Sequence, residues 1–253
     1  MYTFGAGILY GYALTDATGA TLSVPTPYQF GTLQNVNFDA SWDTKQLYGS
    51  RQFPVAIGRG KGKITCKADI ATINGGLLNS LVFGQTLAAG IDAVYTDSTG
   101  TAVPTTPYQI TPTIPSSGTW AEDLGVISVA TGLALTKVAS GPTTGQYSVS
   151  AGVYTFAAAD TTLVMFINFR YTATSTTAAK MTIANLPMGY APTFKAVLST
   201  PYNGKNLELI MPNCVSDKLS FATKLDDFAI PSMNWSLLAD ASNNVAYWNL
   251  TDK

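Results

Sequence analysis

Two stretches of the chain alternate strictly between polar and apolar side chains. From Asn35 to Asp43 the odd positions are Asn35, Asn37, Asp39, Ser41 and Asp43, and the even ones are Val36, Phe38, Ala40 and Trp42. From Arg59 to Ile70 the odd positions are Arg59, Lys61, Lys63, Thr65, Lys67 and Asp69, while Ile64, Cys66, Ala68 and Ile70 are apolar. A period of two belongs to a β-strand with one face on a core and the other in water. In an antiparallel pair, opposed residues point the same way, so the two polar rows form one wide ribbon bearing both signs of charge. Asn35, Asn37, Asp39, Ser41, Lys61, Lys63, Thr65 and Lys67 are its candidate exposed face. A slip of one residue would invert every assignment, so the pattern commits to a single register.

Between these strands, Thr44 to Gly58 reads as a long loop that holds Leu47, Tyr48, Arg51, Phe53, Val55 and Ile57. Loops of this length are functional or disordered, and disorder does not call for large apolar residues. Two readings stand: the loop folds back on its own core, or it protrudes and docks into a neighbour.

Elsewhere, short alternating stretches separated by Gly, Pro, Asn and Asp read as mainly β. A first strand spans about Gly7 to Leu14, and Asp16 to Gly19 turns the chain. Ala71 to Phe83 is the one helix, with Ile73, Leu77 and Leu81 at four-residue steps and Gly84 at the C-terminal cap. Residues 107–186, with strands near Gln109–Thr113, Gly125–Val129, Gln146–Ser150, Val153–Phe156 and Leu163–Tyr171, read as a small β-sandwich inserted into a main domain of residues 1–106 and 187–253. After Thr193 the alternation resumes in Phe194, Ala196 and Leu198, then in Leu207, Leu209 and Met211, around an Asn203-Gly204 hairpin turn. Phe228 and Ile230 continue into Met233, Trp235 and Leu237 with a parity change at Pro231-Ser232 that predicts a bulge. Val245 to Leu250 is the last strand.

Chemistry is sparse. Only 11% of the 253 residues are charged and the net charge is −1, so there is no basic excess for gripping phosphates. A surface so poor in charge is expected to be covered in part, most simply by identical copies. The chain has no histidine, which removes Ser-His-Asp triads, Cys-His dyads and most zinc sites. Cys66 lies in an apolar row and reads as a small buried hydrophobe. Asp226-Asp227 is the one adjacent carboxylate pair and reads as a solvated turn; Gly58-Arg-Gly-Lys-Gly62 lacks the spacing and the following helix of a phosphate loop. No catalytic, cofactor or metal site is expected. No signal peptide and no membrane-spanning run is expected either. The polar ribbon remains: an ordinary solvent face, or the wall of a water-filled bore made when ribbons from several subunits join edge to edge.

The order of these features resembles the tail tube proteins of long-tailed bacteriophages. The likeness rests on the strand through Asn35–Asp43, the loop with Asp43-Thr-Lys-Gln-Leu-Tyr-Gly49 and Gln52-Phe-Pro-Val55, the strand from Gly58-Arg-Gly-Lys-Gly-Lys63, and Ile73-Asn-Gly-Gly-Leu-Leu-Asn-Ser-Leu81. It covers residues 1–85 and, more loosely, 190–253; the inserted segment is similar to modules of other phage structural proteins. The resemblance implies two packed antiparallel sheets with a flanking helix, in a subunit of hexameric rings stacked into a tube. Through that tube DNA would leave the capsid without specific binding. It implies Asn35, Asn37, Asp39, Ser41, Lys61, Lys63, Thr65 and Lys67 in the lumen, with Asp39, Asp43 and Asp69 neutralising the basic residues. Leu47, Tyr48, Arg51 and Phe53 would serve ring stacking. The implied partners are further copies, a tail terminator, and baseplate or tail-tip proteins, with or without a sheath, in a virion assembled in the host cytoplasm; the inserted module would face outward. The alternative is a carbohydrate-binding or adhesin-like β-sandwich with Trp120, Tyr147 and Tyr154 as sugar-stacking residues.

Overall fold

The computed structural model describes residues 2–251 and is mainly β, with antiparallel sheets and a single short helix. The chain forms two compact units, Met1–Thr86 with Met181–Lys253, and Leu87–Lys180. The second unit therefore starts twenty residues before the expected 107 and stops before 186. The reason is pairing: Ile91–Tyr95, expected in the main domain, zips antiparallel onto Phe169–Ala173.

In the first unit, β1 (Ile8–Ala13), β2 (Tyr28–Gln29), β3 (Leu33–Tyr48) and β4 (Pro54–Ile70) share one sheet with Thr193–Tyr202, Lys205–Ser220, Ser232–Leu237 and Tyr247–Leu250. Its order runs β2, β1, 193–202, 205–220, 232–237, β4, β3, with 247–250 also against 205–220. The expected two layers are two halves of this one curled sheet. Trp235 on one half packs against Phe30 and Phe194 on the other, at 6.1 and 6.2 Å between ring centroids. Cys66 Sγ reaches Met211 Sδ at 3.7 Å across the core. Leu9, Ala68, Leu77, Leu81, Leu209 and Met233 fill the remainder.

Asn203 and Gly204 both take positive φ, 50° and 75°, as a two-residue hairpin turn between twisted strands requires. The helix is shorter than its apolar spacing predicts. Its α-helical part is Gly75–Leu78, followed by a π-turn over Asn79–Phe83. Asn74 starts it by accepting the Leu77 amide on its side chain at 3.2 Å, which leaves Ile73 outside and exposed. Gly84 ends it in the left-handed conformation. The predicted bulge at Pro231-Ser232 is absent: the strand begins at Ser232, and Phe228 sits in the preceding loop, exposed to solvent.

The second unit is a small sandwich. Thr119–Ser128, Val164–Ala173, Ile91–Tyr95 and Thr101–Ala102 form one sheet; Thr136–Lys137, Gln146–Ser150, Val153–Phe156 and Gln109–Ile110 form the other. Val126, Tyr154, Phe156, Ile167 and Phe169 lie between them. Ala88–Ala89 pairs antiparallel with Ala179–Lys180, so the chain enters and leaves this unit on adjacent strands, about 5 Å apart.

The two cores share no residue. Replacing residues 87–180 by a short Gly/Ser linker is therefore expected to leave a soluble first unit with a β-type circular dichroism spectrum and one cooperative melt. An aggregated or non-cooperative product would contradict the two-core division.

Candidate functional site

β3 and β4 form one hairpin joined by residues 49–53. The long loop expected over Thr44–Gly58 is thus mostly ladder: Thr44 faces Arg59, Lys45 Gly58, Gln46 Ile57, Leu47 Ala56 and Tyr48 Pro54. Only five residues turn. The hairpin has two distinct halves. Near its base, Cys66, Ala68 and Ile70 are buried and Val36 and Phe38 are half-buried against the core. Beyond Ala40 and before Ile64 every residue is exposed except half-buried Pro54, on both faces of the ribbon. This half stands clear of its own core.

Its edges are also open. The sixteen residues of β3 pair with β4 alone, and among the described residues no strand covers the other edge. β4 pairs with Ser232–Ser236 only through Thr65–Asp69, so residues 54–64 have a second free edge. Unpaired strand edges of this length are templates for another chain.

The predicted polar row is held in register. Asn35 opposes Asp69, Asn37 opposes Lys67, Asp39 opposes Thr65 and Ser41 opposes Lys63. Lys67 pairs with Asp69 at 2.9 Å, and Asn37 Nδ2 donates to Asp39 at 2.9 Å. Above them the row breaks. Trp42 faces Gly62 but Thr44 faces Arg59, so Asp43 opposes both Gly60 and Lys61 in a bulge. The extra residue turns Arg59 to the apolar side, where its guanidinium stacks 4.6 Å above the Trp42 ring. Arg59 therefore leaves the basic row in which alternation placed it. Gly62 makes room for that ring, since a Cβ there would lie 2.9 Å from Trp42.

On the apolar side, Phe38, Trp42, Ile64, Leu237 and Trp248 border a groove of about 710 Å³, with Phe38 edge-on to Trp248 at 5.4 Å. At the far end Leu47, Tyr48 and Phe53 are 64%, 56% and 80% exposed, and Arg51 lies in the turn. They do not fold back on the core. Cys66 and Cys214 are both buried; burial pushes the Cys66 thiol up to about 12 and the Cys214 thiol up as well, so neither is a reactive thiolate.

In the second unit, Tyr147 and Tyr154 are buried and do not offer a sugar-stacking platform. Their hydroxyls instead donate to Asp123, at 2.8 and 3.2 Å, and Trp120 Nε1 donates to the Tyr154 hydroxyl. Lys137 completes the cluster at 2.9 Å from Asp123. Burial alone would raise the Asp123 carboxyl, but Lys137, the Gly125 amide and Tyr147 together hold it below its ordinary value. Asp227 bonds Lys224 at 2.9 Å inside its own loop, and Asp226 adds no partner to it.

No family model matches the chain, and no curated protein matches it. Among the described residues no helix is long and apolar enough to cross a membrane.

Two outcomes follow for stability. Changing Leu47, Tyr48 and Phe53 together to Ser is expected to shift unfolding by no more than about 0.5 kcal/mol per site, whereas Trp235→Ala costs about 3–5 kcal/mol. Denaturant titration by circular dichroism measures both; a strongly destabilised triple variant would mean the tip packs on its own fold. Because the Asp123 carboxyl is depressed, its contribution is complete above pH ~4 and lost as pH falls through its folded value. Asp123→Asn is expected to cost about 1–3 kcal/mol at pH 7 and less at the lowest pH at which the chain stays folded. An equal loss at both pH values would contradict the charged cluster.

Proposed function

We propose that this chain is the subunit of a hollow protein tube of the kind that forms the tail of a long-tailed bacteriophage. In this reading the ribbons of several subunits join edge to edge into one closed barrel, and the rings stack so that the bore passes DNA. The observation that carries the reading is the distal half of the β3–β4 hairpin, with both faces exposed and both edges unpaired. A monomer gains nothing from sixteen ordered residues of open edge. A closed barrel removes the edge altogether.

The polar row of Asn35, Asn37, Asp39, Ser41, Lys63, Thr65 and Lys67 faces the bore, with Lys61 at the bulge beside it. With Asp43 and Asp69 on the same face, three aspartates balance Lys61, Lys63 and Lys67. A strongly positive wall would hold phosphates, whereas a nearly neutral one lets a duplex slide. The apolar side of the ribbon turns outward, and Leu47, Tyr48, Arg51 and Phe53 at the tip meet the next ring. The subunit is structural, and its partners are its own copies and the proteins at the two tube ends.

Electron microscopy of concentrated protein in negative stain is expected to show rings or tubes, and the Leu47, Tyr48 and Phe53 to Ser variant is expected to form rings that do not stack. A dispersed monomer at all concentrations would overturn the proposal. The bore is tested by Asn37→Cys and Lys63→Cys, read above the silence of buried Cys66 and Cys214. A small maleimide is expected to label both variants in the tube while a bulky one is excluded. Equal labelling by the bulky reagent would put this face on the outside.

A further inference from the structure

The two free edges of the ribbon differ in charge. On β3 the exposed segment carries Asp39 and Asp43 before the bulge; on β4 the free edge carries Lys61 and Lys63. Among the described residues none of these four makes an ion pair, whereas Lys67 and Asp69 lower in the ribbon are already paired. Asp39 only accepts from Asn37, and the lysines stand exposed to solvent. Asp43 lies across the bulge from Lys61 without pairing to it, and Lys45 lies beyond the bulge, so around Ser41 and Lys63, which are level, the β3 edge is acidic and the β4 edge basic.

Resting on the tube reading above, we infer that the partner of the β3 edge is residues 54–64 of β4 in a second copy, selected head-to-tail by Asp39 and Asp43 against Lys61 and Lys63. Strand direction agrees: β3 runs toward the tip and β4 away from it, so β3 beside the next copy's β4 continues the antiparallel order. Diagonal positions across a ladder are within reach of a lysine side chain. The two symmetric alternatives fail on charge. Pairing β3 with β3 about Ser41 sets Asp39 against Asp43, and pairing β4 with β4 about Gly62 sets Lys61 against Lys63, where like charges on opposed strands repel. Both would also close a dimer, whereas a head-to-tail contact propagates around a ring. Charge thus chooses the geometry that the backbone edges alone leave open.

The test is a charge exchange. One variant carries Asp39→Lys and Asp43→Lys, the other Lys61→Asp and Lys63→Asp; all four positions are exposed, and the like charges each variant sets across the bulge at Asp43 and Lys61 lie where the ribbon has no core beneath it, so thermal melts are expected to fall by a few degrees at most. Each variant alone has two like edges, and the concentration at which it assembles is expected to rise roughly tenfold or more. An equimolar mixture is expected to assemble again, with native mass spectrometry showing equal numbers of the two chains in every ring. A chain carrying all four changes is expected to assemble with itself and to exclude wild-type subunits. If the separate variants assemble as well as the wild type, or the mixture stays dispersed, the edge-charge inference is overturned while the tube reading stands. If the wild type itself forms no ring, the tube reading falls first.

Discussion

The hydrogen-bond ladder between β3 and β4 is the interaction on which the remaining structure depends. At its base it is clamped on both sides, by Trp235 and Met233 on the neighbouring strand and by Met211 across the core, so register is fixed by burial. Above Ala40 burial ends and the ladder continues for eight further residues on β3 and ten on β4 without a core beneath it. Isolated two-stranded ribbons are marginal in water. The distal half is therefore a continuation of a well-anchored base, held together by pairing, by the Arg59–Trp42 stack and by the Tyr48–Gln46 side-chain bond. Its backbone polar groups on the outer edges are satisfied by water or by another chain.

That division explains which parts of the site were legible in the sequence. Val36, Phe38, Cys66 and Ala68 alternate because one face of their strands is buried, and so the base of the ribbon and its polar row could be read directly. From Lys45 to Tyr48 and from Pro54 to Gly58 neither face is buried, so no period of two is imposed and the segment reads as loop. The displaced position of Arg59 has the same origin. A bulge at Gly60-Lys61, opposite Asp43, shifts parity by one, and its only trace in the sequence is the glycine spacing at Gly58, Gly60 and Gly62. The free edge of residues 54–64, on which assembly is argued, depends on where Ser232–Leu237 stops pairing, a long-range fact with no local signal.

The rest of the fold shows the same contrast. Asn203-Gly204 and the rows through Phe194–Leu198 and Met233–Leu237 specify their hairpin and faces locally. The edges of the inserted unit do not, because Ile91–Tyr95 acquires its place only by pairing with a strand more than seventy residues later. Trp120, Tyr147 and Tyr154 look like a binding platform in sequence, yet Asp123 draws the two tyrosine hydroxyls inward and makes those rings core, while Trp120 packs half-buried beside them and donates to Tyr154. Aromatic residues with a hydroxyl or indole N–H are buried readily when such a partner exists.

The central claim is that the outer edges of the ribbon are completed by another copy of the chain. Amide hydrogen exchange, compared between dilute and concentrated protein, measures this most directly. The account predicts fast exchange of the outward-facing amides of residues 40–48 and 54–64 in the free subunit, and strong protection of those same segments on assembly, with little change at the buried base around Cys66 and Ala68. Assemblies in which these edges stay as exposed as in the free subunit would contradict it.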